Sequence, residues 1–123
     1  MAAGVEIIGL KEVEEKFRRM SEEARGERLA VCARAGALLI QNGAKKRCPV
    51  DTGTLRRSIH TEDGKISSTR AEVVIGTDVD YAPYVEYGTG RMRAQPYMRP
   101  ALDEEAEAAG EAAREAFLRL MGV

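Results

Sequence analysis

Residues 21–50 read SEEARGERLAVCARAGALLIQNGAKKRCPV, and the fold turns on this stretch being one long helix. Ser21 is placed as an N-cap, with Glu22 and Glu23 in the first turn, where carboxylates suit the positive end of the helix dipole. Leu29, Cys32, Gly36, Ile40 and Ala44 form the best apolar stripe, but the middle of the segment is apolar on more than one face. A helix apolar all round belongs in the centre of a core. Ala33, Gly36, Ala37 and Gly43 leave room for a second backbone, although each glycine inside a helix costs about 1 kcal/mol relative to alanine. The helix is predicted to end near Lys46, where Lys45, Lys46 and Arg47 complement the negative end of the dipole and Pro49 blocks continuation.

Upstream, residues 5–8 are expected as a short edge strand ended by Gly9. Leu10, Val13, Phe17 and Met20 then step along one face of an amphipathic helix. Downstream, PVDTG at 49–53 is a turn, and residues 58–61 can begin a strand. Glu62, Asp63 and Gly64 read as another turn before a strand over 65–76, in which Ala71, Val73 and Ile75 alternate with Glu72 and Val74. Tyr81 to Tyr87 fits either a helical turn or a short strand, and residues 88–96 are loop. Pro100 suits the first turn of a last helix whose stripe runs Leu102, Ala106, Ala109, Ala113, Phe117 and Leu120. The expectation is an α+β fold, with a long central helix and a C-terminal helix packed on a small, mainly antiparallel β-sheet, in a single domain over 1–123.

Composition narrows function mainly by exclusion. The 123 residues are 44% hydrophobic and 32% charged with a net charge of −1, values of a folded, soluble chain rather than a disordered one. No apolar run approaches a membrane span, and the first residues lack a secretory pattern. Cys32 and Cys48 lie sixteen residues apart, roughly 24 Å along a helix, too far for a disulfide. With one histidine and no CxxC or HxxxH spacing, no metal site is expected. YGTGRM at 87–92 lacks the third glycine of a dinucleotide loop, and there is no GxxxxGK[ST]. Ser58, His60 and Asp63 have the residue types of a hydrolytic triad, but they crowd into six residues without a nucleophile elbow. The reading is therefore no enzyme and no cofactor.

The segment YAPYVEYGTGRMRAQPYMRP at 81–100 stands apart, with all four tyrosines, three of four prolines and three arginines. Aromatics and arginines on irregular backbone are typical of recognition surfaces. Tyr81, Tyr84 and Tyr87, at helical spacing, can equally face inward. Cations also collect around it: Lys45, Lys46, Arg47, Arg56, Arg57, Arg91, Arg93 and Arg99, eight in all if the fold gathers them. Such a patch would hold nucleic-acid backbone, with Arg56, Arg57, Arg91 and Arg93 on phosphate. The bland reading, in which Lys45, Lys46 and Arg47 cap a helix and the arginines pair with carboxylates, is favoured by the slightly acidic whole.

Two ordered blocks carry a resemblance: PVDTGTLRRSI at 49–59 and IGTDVDYAPYVEYGTGRMRAQPYMRPAL at 75–102. The first matches with Pro49, Asp51, Thr52, Gly53, Leu55 and Ser58. The second matches with Tyr81, Val85, Glu86, Tyr87, Gly88 and Thr89, then with Pro96, Met98, Arg99, Pro100, Ala101 and Leu102. The chain resembles the family typified by gene product ten of the phage HK97, neck or tail-completion proteins of long-tailed phages and prophages, and is similar in pattern to the minor tail protein Z group. The resemblance implies a virion component of the neck or tail, assembled in the bacterial host cytoplasm and acting by assembly rather than catalysis. It further implies a homo-oligomeric ring, other neck, head-completion or tail proteins as partners, DNA nearby in the channel, and no membrane. The assembly or motif residues expected are Asp51, Thr52, Gly53, Leu55 and Arg57 from the first block, with Tyr81, Tyr84, Glu86, Tyr87, Gly88, Thr89, Arg91, Arg93, Pro96, Met98, Arg99 and Pro100 from the second.

Overall fold

The structure, a computed structural model, describes residues 2–4, 11–49 and 53–122. The strand expected over 5–8, Leu10, and the motif residues Asp51 and Thr52 lie outside the described residues. The elements are β1 (Ala2–Gly4), α1 (Lys11–Arg18), α2 (Glu22–Arg47), α3 (Thr54–Ser58), β2 (His60–Ile66), β3 (Ala71–Gly76), α4 (Ala82–Tyr87) and α5 (Met98–Leu120). The class is α+β, as the sequence reading has it.

Ser21 caps α2 as expected: its hydroxyl accepts from the Ala24 N–H at 3.1 Å, and the helix ends at an extended Cys48. The three strands are ordered β1-β3-β2 and pair antiparallel throughout. Ala71, Val73 and Ile75 on the central strand are buried, while Val74 between them is exposed. α2 packs against all three strands and also against α5. Two packed sides explain why it lacks a single apolar stripe.

The α2–α5 seam is built from small residues. A Cβ added at Gly36 would lie 2.7 Å from the Ala109 carbonyl oxygen, and one at Gly43 would lie 2.9 Å from the Glu105 Cγ. The helices run antiparallel, so the start of α5 lies beside the end of α2, where the Arg47 guanidinium donates to Glu104 and pairs with Glu105 at 3.5 Å. At the other end, Val13, Cys32, Ala113, Phe117 and Met121 form a satellite cluster. Phe17 and Phe117 meet edge to face there at 5.5 Å, and the Lys16 Nζ donates to the Met121 carbonyl at 2.5 Å.

Two readings are corrected. Glu62, Asp63 and Gly64 are strand, not turn: they lie in β2, with Glu62 opposite Val74 and Asp63 opposite Val73, ahead of a bulge that shifts the register. The turn falls at residues 67–70, where the Ser67 hydroxyl accepts from the N–H groups of Thr69 and Arg70 and the Ser67 N–H donates to the Arg70 carbonyl. A hydroxyl closes this hairpin where glycine was expected to. On α5, Ala106 and Leu120 are exposed, and the buried line is Ala101, Ala109, Ala113, Phe117 and Met121. The alanine-rich sequence offers several parallel apolar lines, so periodicity alone does not choose among them. Of the two orientations left open for Tyr81, Tyr84 and Tyr87 the structure has the outward one, and the core tyrosine of the segment is Tyr97, 2% exposed.

Candidate assembly surface

The two motif blocks meet at the end of α2. Leu55 and Ile59 from the first and Ala82, Tyr97, Met98 and Ala101 from the second share one buried cluster with Cys48. Gly53 opens α3 at φ 78°, a left-handed conformation that favours glycine. Its carbonyl accepts from the Arg57 N–H at 3.0 Å, and the Arg57 guanidinium folds back over it. The Ser58 hydroxyl donates to the Leu55 carbonyl at 2.6 Å, so it accepts from the hydroxyl of Thr77, which in turn accepts from the Val79 N–H. This relay latches the first block to the second. Thr77 was passed over in the sequence, although a threonine two residues before the N–H it receives is a recognisable turn signal.

Glu86 is the centre of the second block. It is buried, and its carboxylate accepts three backbone N–H groups at the start of α5: Tyr97 at 3.1 Å, Met98 at 2.9 Å and Arg99 at 3.3 Å. These donors have no carbonyl of their own helix to bind, and a carboxylate there also meets the positive end of the dipole. Glu86 thus clamps α4 to α5. Gly88 leaves α4 at φ 78° and ψ 176°, backbone essentially restricted to glycine. An added Cβ would lie 2.7 Å from the Ala94 N and 2.9 Å from the Met92 carbonyl oxygen.

Beyond it, the loop binds itself. The Thr89 N–H donates to the Met92 carbonyl at 2.8 Å, and the Thr89 hydroxyl accepts from the N–H groups of Arg91 and Met92. The Gln95 N–H returns to the Val85 carbonyl at 2.8 Å. A loop tied in this way loses little entropy on docking.

These braces hold an aromatic face in water. Tyr81, Tyr84 and Tyr87 are 43%, 58% and 81% exposed, and Met92 is also exposed. Beneath them, burial pushes the Tyr97 phenol up to about 12, with the Cys48 thiol, the Glu86 carboxylate and the Tyr81 and Tyr87 phenols adding to the shift. Pro96 is exposed and Pro100 lies half-buried in the first turn of α5.

The eight cations do not act as one patch. Arg47 is held by Glu104 and Glu105, and the Arg99 Nε donates to Asp103 at 3.3 Å. Lys45 is half-buried and Lys46 exposed. Arg56, Arg91 and Arg93 are exposed and form no ion pair among the described residues.

The triad residues are not assembled. His60 Nδ1 lies 2.7 Å from the Ser58 carbonyl oxygen, not its hydroxyl, and Nε2 lies 2.9 Å from Glu62 Oε1. Asp63 accepts from the Arg34 Nε at 2.8 Å, which holds its carboxyl below the ordinary value. With acceptors at both ring nitrogens, the Ser58 carbonyl foremost and Glu62 next, the His60 imidazolium is favoured and its pKa lies above the ordinary 6.5. A proton titration followed by NMR will show this on the single histidine, and Glu62→Gln will lower the midpoint without abolishing the shift. The stabilisation is fully present below pH 6.5 and is lost as pH rises through the folded-state value. A midpoint at or below 6.5 would show that the two contacts do not form. Among the described residues no group of His, Cys, Asp or Glu is arranged to hold a metal, and no helix is long and apolar enough to cross a membrane.

No curated protein and no solved structure matches the chain. One family model does, described as "Bacteriophage HK97-gp10, putative tail-component", and it matches residues 11–88. That span takes in α1 to α4, the whole first block, and the second block as far as Gly88; the loop tip and the Met98–Pro100 entry to α5 lie beyond it. A match over more than half the chain means that this protein belongs to the bacteriophage HK97-gp10 family of phage tail components.

Proposed function

We propose that this protein works at the junction of head and tail, joining them or completing the tail as a homo-oligomeric ring, and that it acts as one domain over 1–123. The observation that carries this reading is the exposed, braced face of Tyr81, Tyr84 and Tyr87 with Arg91 and Arg93 at its tip. Tyrosine and arginine are the residues that most often dominate interface energies. The glutamate clamp and the self-tied loop fix three tyrosines in water, set for a partner surface. In this reading the motif residues divide: Gly53, Leu55, Glu86, Gly88, Thr89 and Met98 shape the surface, and the tyrosines and arginines present it. The protein resides in the neck or tail of the virion after assembly in the host cytoplasm. Mixing the purified protein with portal, head-completion and tail-tube proteins is expected to give a stable complex with at least one of them, scored by co-sedimentation. A chain that stays monomeric and binds none of them would remove the proposal.

A second reading, contact with DNA in the channel, is favoured by one observation, the three exposed arginines 56, 91 and 93 without an ion pair among the described residues. Binding to duplex DNA should then weaken steeply with salt. No binding at low salt would dismiss it.

A further inference from the structure

At the end of the molecule opposite the tyrosine face lies an open groove of about 810 Å³ between the N-terminal half of α2 and the β2–β3 turn. Its apolar lining is Ala30, Val31 and Ile66, and its charged lining is Glu22, Glu23 and Glu27 with Arg34. Val31 and Ile66 are 44% and 42% exposed, unusual for branched aliphatic residues on neighbouring elements. Arg34 is engaged by Asp63, so it does not neutralise the glutamates. Those three carboxylates form no ion pair among the described residues. The groove is therefore concave, apolar within and acidic in balance.

The tip of the same chain has the complementary character. Tyr84, Tyr87 and Met92 supply exposed apolar surface, and Arg91 and Arg93 supply positive charge with no ion pair among the described residues. Gly26 sits under the β2–β3 turn, its Cα backed by the Ser67 carbonyl and the Ile66 side chain, while Cys48 sits beneath the tyrosine face. The rise of α2 separates these two points by roughly 33 Å. One chain cannot bring its own tip to its own groove over that distance.

We propose that the 84–93 tip of one copy seats in the α2/β2–β3 groove of a second copy, a head-to-tail contact in which Tyr84, Tyr87 and Met92 cover Val31 and Ile66 while Arg91 and Arg93 face Glu22, Glu23 and Glu27. It rests on the assembly reading above and specifies its self-contact. A contact between two different patches repeats, and it closes into a ring when the rotation per copy permits. The occupant is a second copy because the carboxylates lining the groove, Glu22, Glu23 and Glu27, are opposite in charge to the two arginines of the tip.

The test uses the full chain and two double variants, Arg91→Glu with Arg93→Glu at the tip and Glu23→Lys with Glu27→Lys in the groove. By sedimentation velocity, the unmodified chain should self-associate, more weakly as salt rises. Each variant alone should associate at least about thirtyfold more weakly. Their equimolar mixture should regain association, because each supplies the charge the other has reversed. Unchanged thermal melts will show that the variants fold, and Tyr87→Ser serves as the tip variant if the arginine pair does not. A monomeric unmodified chain, a variant that associates like it, or a mixture that stays apart would overturn the contact. So would a tip variant that loses duplex DNA binding while keeping self-association, since the arginines would then belong to phosphate. The assembly reading fails separately, on the mixing experiment with portal and tail proteins, and it survives if copies associate through another face.

Discussion

Glu86→Ala will lower the stability of the folded chain by about 3 kcal/mol, because three backbone N–H groups, two of them buried and one half-buried, lose a charged acceptor together. For a chain of this length that is a fall in melting temperature on the order of 10 °C, read by circular dichroism or calorimetry. Glu86→Gln keeps a carbonyl oxygen where two of the donors point and should lose roughly half as much. A Glu86→Ala protein within about 1 kcal/mol of the unmodified chain would show that the clamp is not what fixes the start of α5. The effect reaches beyond stability. Tyr84 and Tyr87 ride on the helix that Glu86 anchors, so the variant should also weaken any association that uses the tyrosine face.

The second large effect is expected at Gly36. Its added Cβ would meet the Ala109 backbone oxygen at 2.7 Å, and a carbonyl in the middle of a helix cannot rotate away as a side-chain end can. Gly36→Val must therefore push α2 and α5 apart along their whole seam, at a cost of about 3 kcal/mol in denaturant unfolding. Gly110 is the control. It lies in the interior of α5 with open space where a Cβ would go, so Gly110→Ala should gain about 1 kcal/mol from helix propensity alone. Losses of similar size at both sites would mean that packing at the seam is not what distinguishes them.

What could be read from the residues followed how local each signal is. The cap at Ser21, the extent of α2 and the alternation of β3 were legible, because capping and periodicity depend on neighbours in sequence. The small residues of α2 also announced a close approach, although not that α5 would be the partner. The β2–β3 turn was misplaced because Glu62, Asp63 and Gly64 have turn composition, while the observed turn is closed by a serine hydroxyl. The orientation of the tyrosines was open in the sequence, since a spacing of three describes an inward face as well as an outward one. Their exposure follows from Ala82, Val85 and Glu86 taking the buried side of α4. Glu86 itself was singled out only by its motif, because a carboxylate that caps a helix eleven residues away leaves no local pattern.

The two thiols give the folded chain a chemical property of their own. Burial pushes Cys32 up to about 11 and also raises Cys48, and neither is bonded to another cysteine. Burial disfavours the reactive thiolate of both at neutral pH, so alkylating reagents should attack mainly when the protein opens. Cys32 lies in the cluster closed by α1 and Phe117, and Cys48 under the tyrosine face. Labelling rates at the two positions would then act as separate clocks for the two poles of the molecule. They report which end comes apart first, with no engineered probe.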